Sequence, residues 1–179
     1  YGDRADEELT EESTGGSDFL AGVCAGWETA AQEAMSTTTR VVKLRAGIVL
    51  GRGGGALGSM KKIFALGMGG PIGSGKQWWS WIHLSDLLDL IDHCLEHSLE
   101  GPVNAASPNP GRQKDFAKAM GKALKRPAFM PAPAFAIKAA LGGFSTELLS
   151  SKNVQPTKAL SSGFVFQYPE VGPALEELL

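Results

Sequence analysis

The sequence predicts an α/β protein, with strand–helix alternation over residues 1–108 and a small, mostly helical part over 109–179. Three observations carry this reading. Arg40–Leu50 (RVVKLRAGIVL) is the best strand in the chain and is followed by helical spacing over Leu57–Leu66. Trp79-Ser80-Trp81-Ile82 alternates like a strand and runs directly into Leu84–His97, where Leu84, Leu87, Leu88, Ile91 and Leu95 are spaced for one helix face. From Pro127 onward the composition changes, and Pro127, Pro131, Pro133 and Pro156 punctuate short helices.

The remaining elements follow in order. Asp3–Ser17 is acidic and polar and reads as a solvated loop. Phe19–Ala34 repeats Phe19, Val23, Trp27 and Ala30 at three- and four-residue steps, with Ser17 or Asp18 as its N-cap. Thr37-Thr38-Thr39 is a turn before the long strand. Within Trp78–Trp81, Trp79 and Trp81 share a face and Trp78 points the other way. Val103–Ala106 is a short strand, and Gln113–Lys125 is amphipathic with Phe116, Met120 and Leu124 inward. Phe135–Leu141, Thr146–Ser151 and Pro173–Leu179 are short helices, the last with proline in its first turn.

Composition narrows the function classes. With 179 residues, 43% hydrophobic and 20% charged, the chain suits one globular unit with a real core. A formal charge of -2 argues against a nucleic-acid or anionic membrane surface. No apolar run approaches the ~20 residues that a membrane span needs. Cys24 and Cys94 have no metal-like spacing and read as buried thiols of a reducing compartment. The chain opens at Tyr1 without a methionine or a signal-like segment and reads as a fragment or trimmed product.

Two glycine motifs invite a nucleotide reading and lose it on inspection. Gly70, Gly75 and Lys76 fit G-x-x-x-x-G-K, but Gln77 stands where a Ser or Thr should reach Mg²⁺. A helix-like segment precedes that turn and an aromatic run follows it, the reverse of the strand-to-helix context a phosphate loop needs. Gly53-Gly54-Gly55-Ala56-Leu57-Gly58 fits G-x-G-x-x-G after a strand, yet no acidic residue ends a second strand ~20 residues on. A loop using glycine's backbone freedom is the plainer account.

The segment Gly69-Gly70-Pro71-Ile72-Gly73-Ser74-Gly75-Lys76-Gln77, followed by Trp81-Ile82-His83 and then Asp86, resembles the extended short-chain dehydrogenase/reductases. Within them it is similar to the epimerase-like subfamily, which has bacterial members and plant plastid homologues. Arg45-Ala46-Gly47-Ile48-Val49-Leu50-Gly51 and Gly163-Phe164-Val165-Phe166 extend the resemblance over nearly the whole chain. The resemblance implies the C-terminal part of a Rossmann-like, doubly wound parallel sheet over 1–108 and a helical cap closing on substrate over 109–179. It implies NADP(H) in the complete protein, with the pyrophosphate-binding turn upstream of this chain. It also implies a plastid location, with the cytoplasm as the alternative. The isolated residues are therefore expected to need a partner: the upstream half of the same fold, or another chain.

Reductases of this superfamily place a Tyr and, four residues later, a Lys on one helix face, so that Lys lowers the Tyr pKa for proton transfer. The counterpart helix here is Phe19–Ala34. Aligning Glu28 puts Leu20 at the Tyr position and Cys24 at the Lys position, and Leu transfers no proton. Catalysis is thus expected to be nonstandard or lost, the alternative being an inactive reductase fold that serves as a structural or regulatory subunit. Cys24, Tyr1 and His83 are the weak acid–base candidates; a thiol on an apolar helix face is more often inert, and His83 reads equally as a pocket residue or a buried imidazole. Arg45, Gly47 and Ile48 are expected near the cofactor, chiefly through backbone, and Gln77, Trp81 and His83 near a small-molecule substrate. His93 and His97 lack a third ligand and read as a solvent-facing pair, so no metal is expected.

Overall fold

A computed structural model describes residues 1–179, apart from the side chains of Ala140, Leu141 and Phe144. The order is β1 (Glu8–Leu9), α1 (Phe19–Gln32), β2 (Val42–Ala46), β3 (Ile48–Leu50), α2 (Gly55–Ala65), β4 (Trp78–Trp79), β5 (Trp81–His83), α3 (Leu84–Glu96), β6 (Gly101–Ala105), β7 (Gly111–Arg112), α4 (Gln113–Ala123), α5 (Ala134–Leu141), α6 (Ser145–Leu149), β8 (Asn153–Val154), α7 (Thr157–Ser161) and α8 (Val171–Leu178). Strand–helix alternation gives way to short helices, the α/β arrangement the sequence predicts.

The long strand is not one strand. β2 pairs in parallel with β6, whereas β3 pairs in parallel with β5. The chain changes partners at Gly47, whose N–H donates to Ala105 O while the Ile48 N–H donates to Ser80 O. A Cβ at Gly47 would lie 2.7 Å from Ser80 O, so only glycine lets the two ladders meet there. Hydrophobic content alone reads through such a break because both halves are equally apolar. The tryptophan strand breaks likewise at Ser80, whose hydroxyl donates to Lys152 O and accepts from Val154 N–H.

Trp79 and Trp81 do share a face. Both are buried with Leu50, Leu57, Phe64, Phe116, Met120 and Leu175, residues from both sides of position 108. Trp79 meets Phe116 edge-on at 5.4 Å between ring centroids. A second cluster joins Ile82, Leu90, Cys94, Val103, Phe164 and Phe166.

Three expectations are corrected. Asp3–Ser17 is no solvated loop: β1 pairs with β8, Leu9 is fully buried, and the buried Glu11 carboxylate accepts from the backbone N–H groups of Asn104 and Lys158. In α3 the buried residues are Asp86, Leu90 and Cys94, while Leu84, Leu88 and Leu95 are exposed. The helix is rotated because the Asp86 carboxylate accepts the backbone N–H groups of Gln167 and Tyr168, which holds that face inward. Cys24 is exposed on α1, not buried, whereas Cys94 is buried as expected.

Candidate functional site

Parallel strands direct their carboxyl ends to one side, where ligands of open α/β sheets bind. For β2 and β6 that end is Ala46 and Ala105, followed by Gly47 and Ile48. Ala46 is exposed there, and Gly47 and Ile48 are half-buried. These backbone positions therefore suit a ligand that lies along a strand end. The Arg45 side chain is committed elsewhere. Its Nε and Nη2 donate to the two Glu28 carboxylate oxygens at 2.6 and 2.8 Å, and its Nη1 donates to the Tyr1 phenol oxygen at 2.8 Å.

Tyr1 is the hub of this clamp. Its hydroxyl proton has Asn104 Oδ1 at 2.7 Å and Thr10 O at 2.9 Å as acceptors. Burial pushes the phenol above its ordinary value, outweighing the lowering effect of Arg45. The Arg45 hydrogen bonds hold Glu28 below the usual carboxylate range, and Glu28 in turn raises Arg45 further. Asn104 closes the network through its amide, which donates to Gln155 O. A residue so held orients others; it is poorly placed to exchange protons with a ligand. Glu11 and Asn104 were invisible as members because their partners lie 93 and 51 residues away in sequence.

His83 proves to be the N-cap of α3. Its Nδ1 accepts the Ser85 N–H at 3.1 Å, so Nε2 carries the proton and faces Glu177 Oε2 at 3.3 Å. The imidazole stacks on Tyr168 at 4.0 Å and is buried. Arg52, in the glycine loop after β3, donates to the same Glu177 carboxylate. Helix capping by histidine leaves little sequence signal, since Ser, Thr, Asp and Asn dominate that position.

Leu20 and Cys24 occupy one exposed stretch of α1, a helix with no buried residue, and the thiol makes no hydrogen bond among the described residues. Trp81 is wholly buried, and its indole N–H has no partner among the described residues. Of the three residues expected at a substrate cleft, Gln77 lines a cavity of about 500 Å³. Its amide donates to Ile72 O and Leu148 O, both at 3.1 Å, which ties the glycine-rich turn to the end of α6. His93 bonds Ser162 and stacks on His97 at 3.8 Å. Among the described residues no group of three or more metal-ligating side chains converges.

Comparison with known proteins bears on the whole constellation. A family profile described as "Domain of unknown function (DUF1731)" matches residues 132–178. The chain is 42% identical, over all of its length and 52% of the relative's, to an Arabidopsis thaliana protein named "Epimerase family protein SDR39U1 homolog, chloroplastic". It is 41% identical to the human epimerase family protein SDR39U1 over 96% of the chain and 59% of that relative. The chain thus spans little more than half the length of these relatives. Among solved structures, human SDR39U1 (isoform 2) with NADPH superimposes with a TM-score of 0.95 at 40% identity, covering 99% of this chain and 61% of that one. A nucleoside-diphosphate sugar epimerase from Corynebacterium glutamicum gives a TM-score of 0.79 at 34% identity, covering 99% of this chain and 34% of that one.

Proposed function

The chain belongs to the epimerase-like extended short-chain dehydrogenase/reductases, as the C-terminal part of their Rossmann-like fold with a helical cap, and on that premise we propose that it serves an NADP(H)-binding protein whose catalytic residues are nonstandard or lost. The observation that carries the reading is the near-complete superposition on the NADPH-bound human protein. The residues present fit such a cofactor: Ala46, Gly47 and Ile48 offer backbone at a parallel strand end, free of a charged side chain. Arg45 serves there as a positioning residue, locking the strand to α1 through Glu28. When bound, NADP(H) supplies hydride chemistry, and the chain's own share is to orient and enclose. Gln77 is the residue assigned to the substrate cleft, Trp81 and His83 are buried in the fold, and residues 109–179 form the cap.

Tyr1, Cys24 and His83 carry no proton relay in this geometry. Tyr1 is held in its clamp, Cys24 is exposed and hydrogen-bonded to no base among the described residues, and both nitrogens of His83 are engaged. That favours, as a second reading, an inactive fold retained as a structural or regulatory subunit. Partner chemistry is common to both readings. Among the described residues β2 pairs only with β6, and α1 leaves Phe19 and Trp27 uncovered, a strand edge and apolar face that suit the upstream half of the same fold or another chain. The name of the Arabidopsis relative makes the plastid the leading location and the cytoplasm the alternative, and reduced Cys24 and Cys94 suit either. No described helix is long and apolar enough to cross a membrane.

The test is an NADPH titration of the intact protein, read by tryptophan fluorescence beside NADH. Saturable binding that favours NADPH is the expected result; no saturation with either overturns the cofactor reading. Turnover of a carbonyl or nucleotide-sugar substrate would then remove the purely structural reading.

A further inference from the structure

The cavity beside Gln77 forms where four stretches distant in sequence meet: Asp3–Asp6, the Ser74–Gln77 turn, the Arg112–Lys114 start of α4, and Leu149–Ser151. A second cavity of about 390 Å³ shares Asp3, Ser74, Gln77 and Leu149 with it and adds Lys138 and Thr146. Together they line one groove with Lys76, Arg112, Lys114 and Lys138 against two carboxylates, Asp3 and Asp6.

Both carboxylates are already engaged. Asp6 accepts from Arg112 Nη1 at 2.6 Å and Trp78 Nε1 at 3.1 Å, and the Arg112 contact holds it below the usual carboxylate range. Asp3 Oδ1 accepts the backbone N–H groups of Ala5 and Ser151. The ammonium groups of Lys76, Lys114 and Lys138 have no carboxylate within salt-bridge distance among the described residues. The groove thus keeps a surplus of positive charge on a chain whose formal charge is -2.

Its framework is built rather than loose. Arg112 Cζ lies over the Trp78 ring, 4.0 Å from its centroid, and its Nη1 donates to Asp6 and to Lys76 O, so the guanidinium is held by three contacts. Gly75 has φ +65°, and a Cβ there would sit 3.0 Å from Lys114 Cβ and 3.1 Å from Pro71 Cβ. Only glycine lets the turn approach α4 so closely, and that approach sets Lys76 beside Lys114. The Gln113 and Lys114 N–H groups donate to Gln77 O and Gly75 O, closing the contact.

We propose that this groove binds a small-molecule oxyanion, phosphate or carboxylate, between Lys76 and Lys114 and against Arg112, with the rest of the ligand running past Gln77 toward Lys138. The inference rests on Gln77 as a cleft residue and gives the substrate a chemical class: an anionic small molecule. A cleft of about 500 Å³ is of a size that suits a small molecule, and the acidic chain around it disfavours a polyanion such as nucleic acid.

The test uses inorganic pyrophosphate and citrate, titrated separately against the intact protein at constant ionic strength and read by tryptophan fluorescence, with Trp78 as the reporter in the wall. Saturable binding of pyrophosphate alone assigns phosphate, of citrate alone carboxylate, and of both the shared chemistry. Lys76→Gln and Lys114→Gln are each expected to weaken binding about tenfold, as the loss of one charge-assisted contact does, while Lys114→Arg retains it. The double variant Lys61→Gln/Lys62→Gln, on exposed α2, controls for general charge and should change nothing. No saturable binding of either probe, or an equal loss in the α2 control, overturns the proposal. An NADPH titration run in parallel separates the two readings: NADPH bound without oxyanion sinks the groove alone, and oxyanion bound without NADPH sinks the cofactor reading alone.

Discussion

Helices α1 and α4 are both amphipathic by spacing, yet the fold treats them in opposite ways. The 11 residues of α4 bury Gln113, Phe116, Ala117, Met120 and Gly121, whereas the 14 residues of α1 bury none. Phe19 is 82% and Trp27 71% exposed, although both stand at core-like spacing. What holds α1 is polar and local: Asp18 caps it by accepting the Ala21 N–H, Gln32 accepts from Lys43, and Glu28 grips Arg45. Isolated helices of this length are marginal in water, so α1 depends on that grip where α4 depends on packing. The difference teaches that an apolar stripe reports a surface to be covered without saying which chain covers it.

The comparison can be broken most directly by truncation. Leu175→Ala and Met120→Ala, in the cluster that α4 and α8 share, should each cost about 2–5 kcal/mol by urea unfolding. Trp27→Ala should change the same measurement by less than about 0.5 kcal/mol. A comparable loss for Trp27 would mean that the α1 face is covered in solution, by the upstream half of the fold or another chain, and that the contrast belongs to this chain alone.

Removing Asp86 comes next. Asp86→Ala strips the acceptor from two part-buried backbone N–H groups and should cost about 1–3 kcal/mol, with Phe164 and Phe166 loosening first. Unchanged near-ultraviolet circular dichroism and an unchanged urea midpoint would show that those groups find other partners.

A smaller effect, about 1 kcal/mol or less because the pair is partly exposed, is expected for Arg45→Met. Its signature is local: amide exchange should quicken over α1 and stay unchanged over α4. The pH dependence has a definite sign. Glu28 is depressed in the fold, so its contribution is complete above the ordinary carboxylate value of 4.5 and is lost as pH falls through the folded value. α1 should loosen in acid, and Arg45→Met should abolish that dependence; acid loosening that persists in the variant refutes the clamp.

The smallest effect lies at alkaline pH. The Tyr1 phenol is raised, so its contribution is complete below its ordinary value of 10.0 and is lost as pH rises through the folded value. Tyr1→Phe removes the donor to Asn104 Oδ1 and should cost about 1 kcal/mol at neutral pH, and it should flatten the stability profile above pH 10.0. A profile unaltered by the substitution would place the phenol outside the network.

Much of the architecture was legible without coordinates, for identifiable reasons. Phe116 and Met120 read as inward and are, because α4 has one apolar face and one partner. The Trp79–Trp81 pair reads as sharing a face and does, because strand alternation is rigid. The α3 stripe misled, since two backbone N–H groups seeking the Asp86 carboxylate outweighed leucine burial. The candidate site was less legible. Gln77 was singled out through its motif, but Lys76, Arg112 and Lys114 form a group only once Gly75 brings the turn against α4. Arg45 was expected near the cofactor, and its side chain is taken up by Glu28.

Local chemistry in the sequence by itself determined the α/β order, the cap of α1, the core face of α4 and the glycine-rich turn. These depend on residues within a few positions of one another. Tertiary structure alone decided that the long strand divides at Gly47, that Glu11 and Asn104 join the Tyr1 clamp, that His83 caps a helix, and that three lysines share a groove. Each of these joins residues far apart in the chain, and their contacts follow from how ladders and helices pack, which no local pattern records.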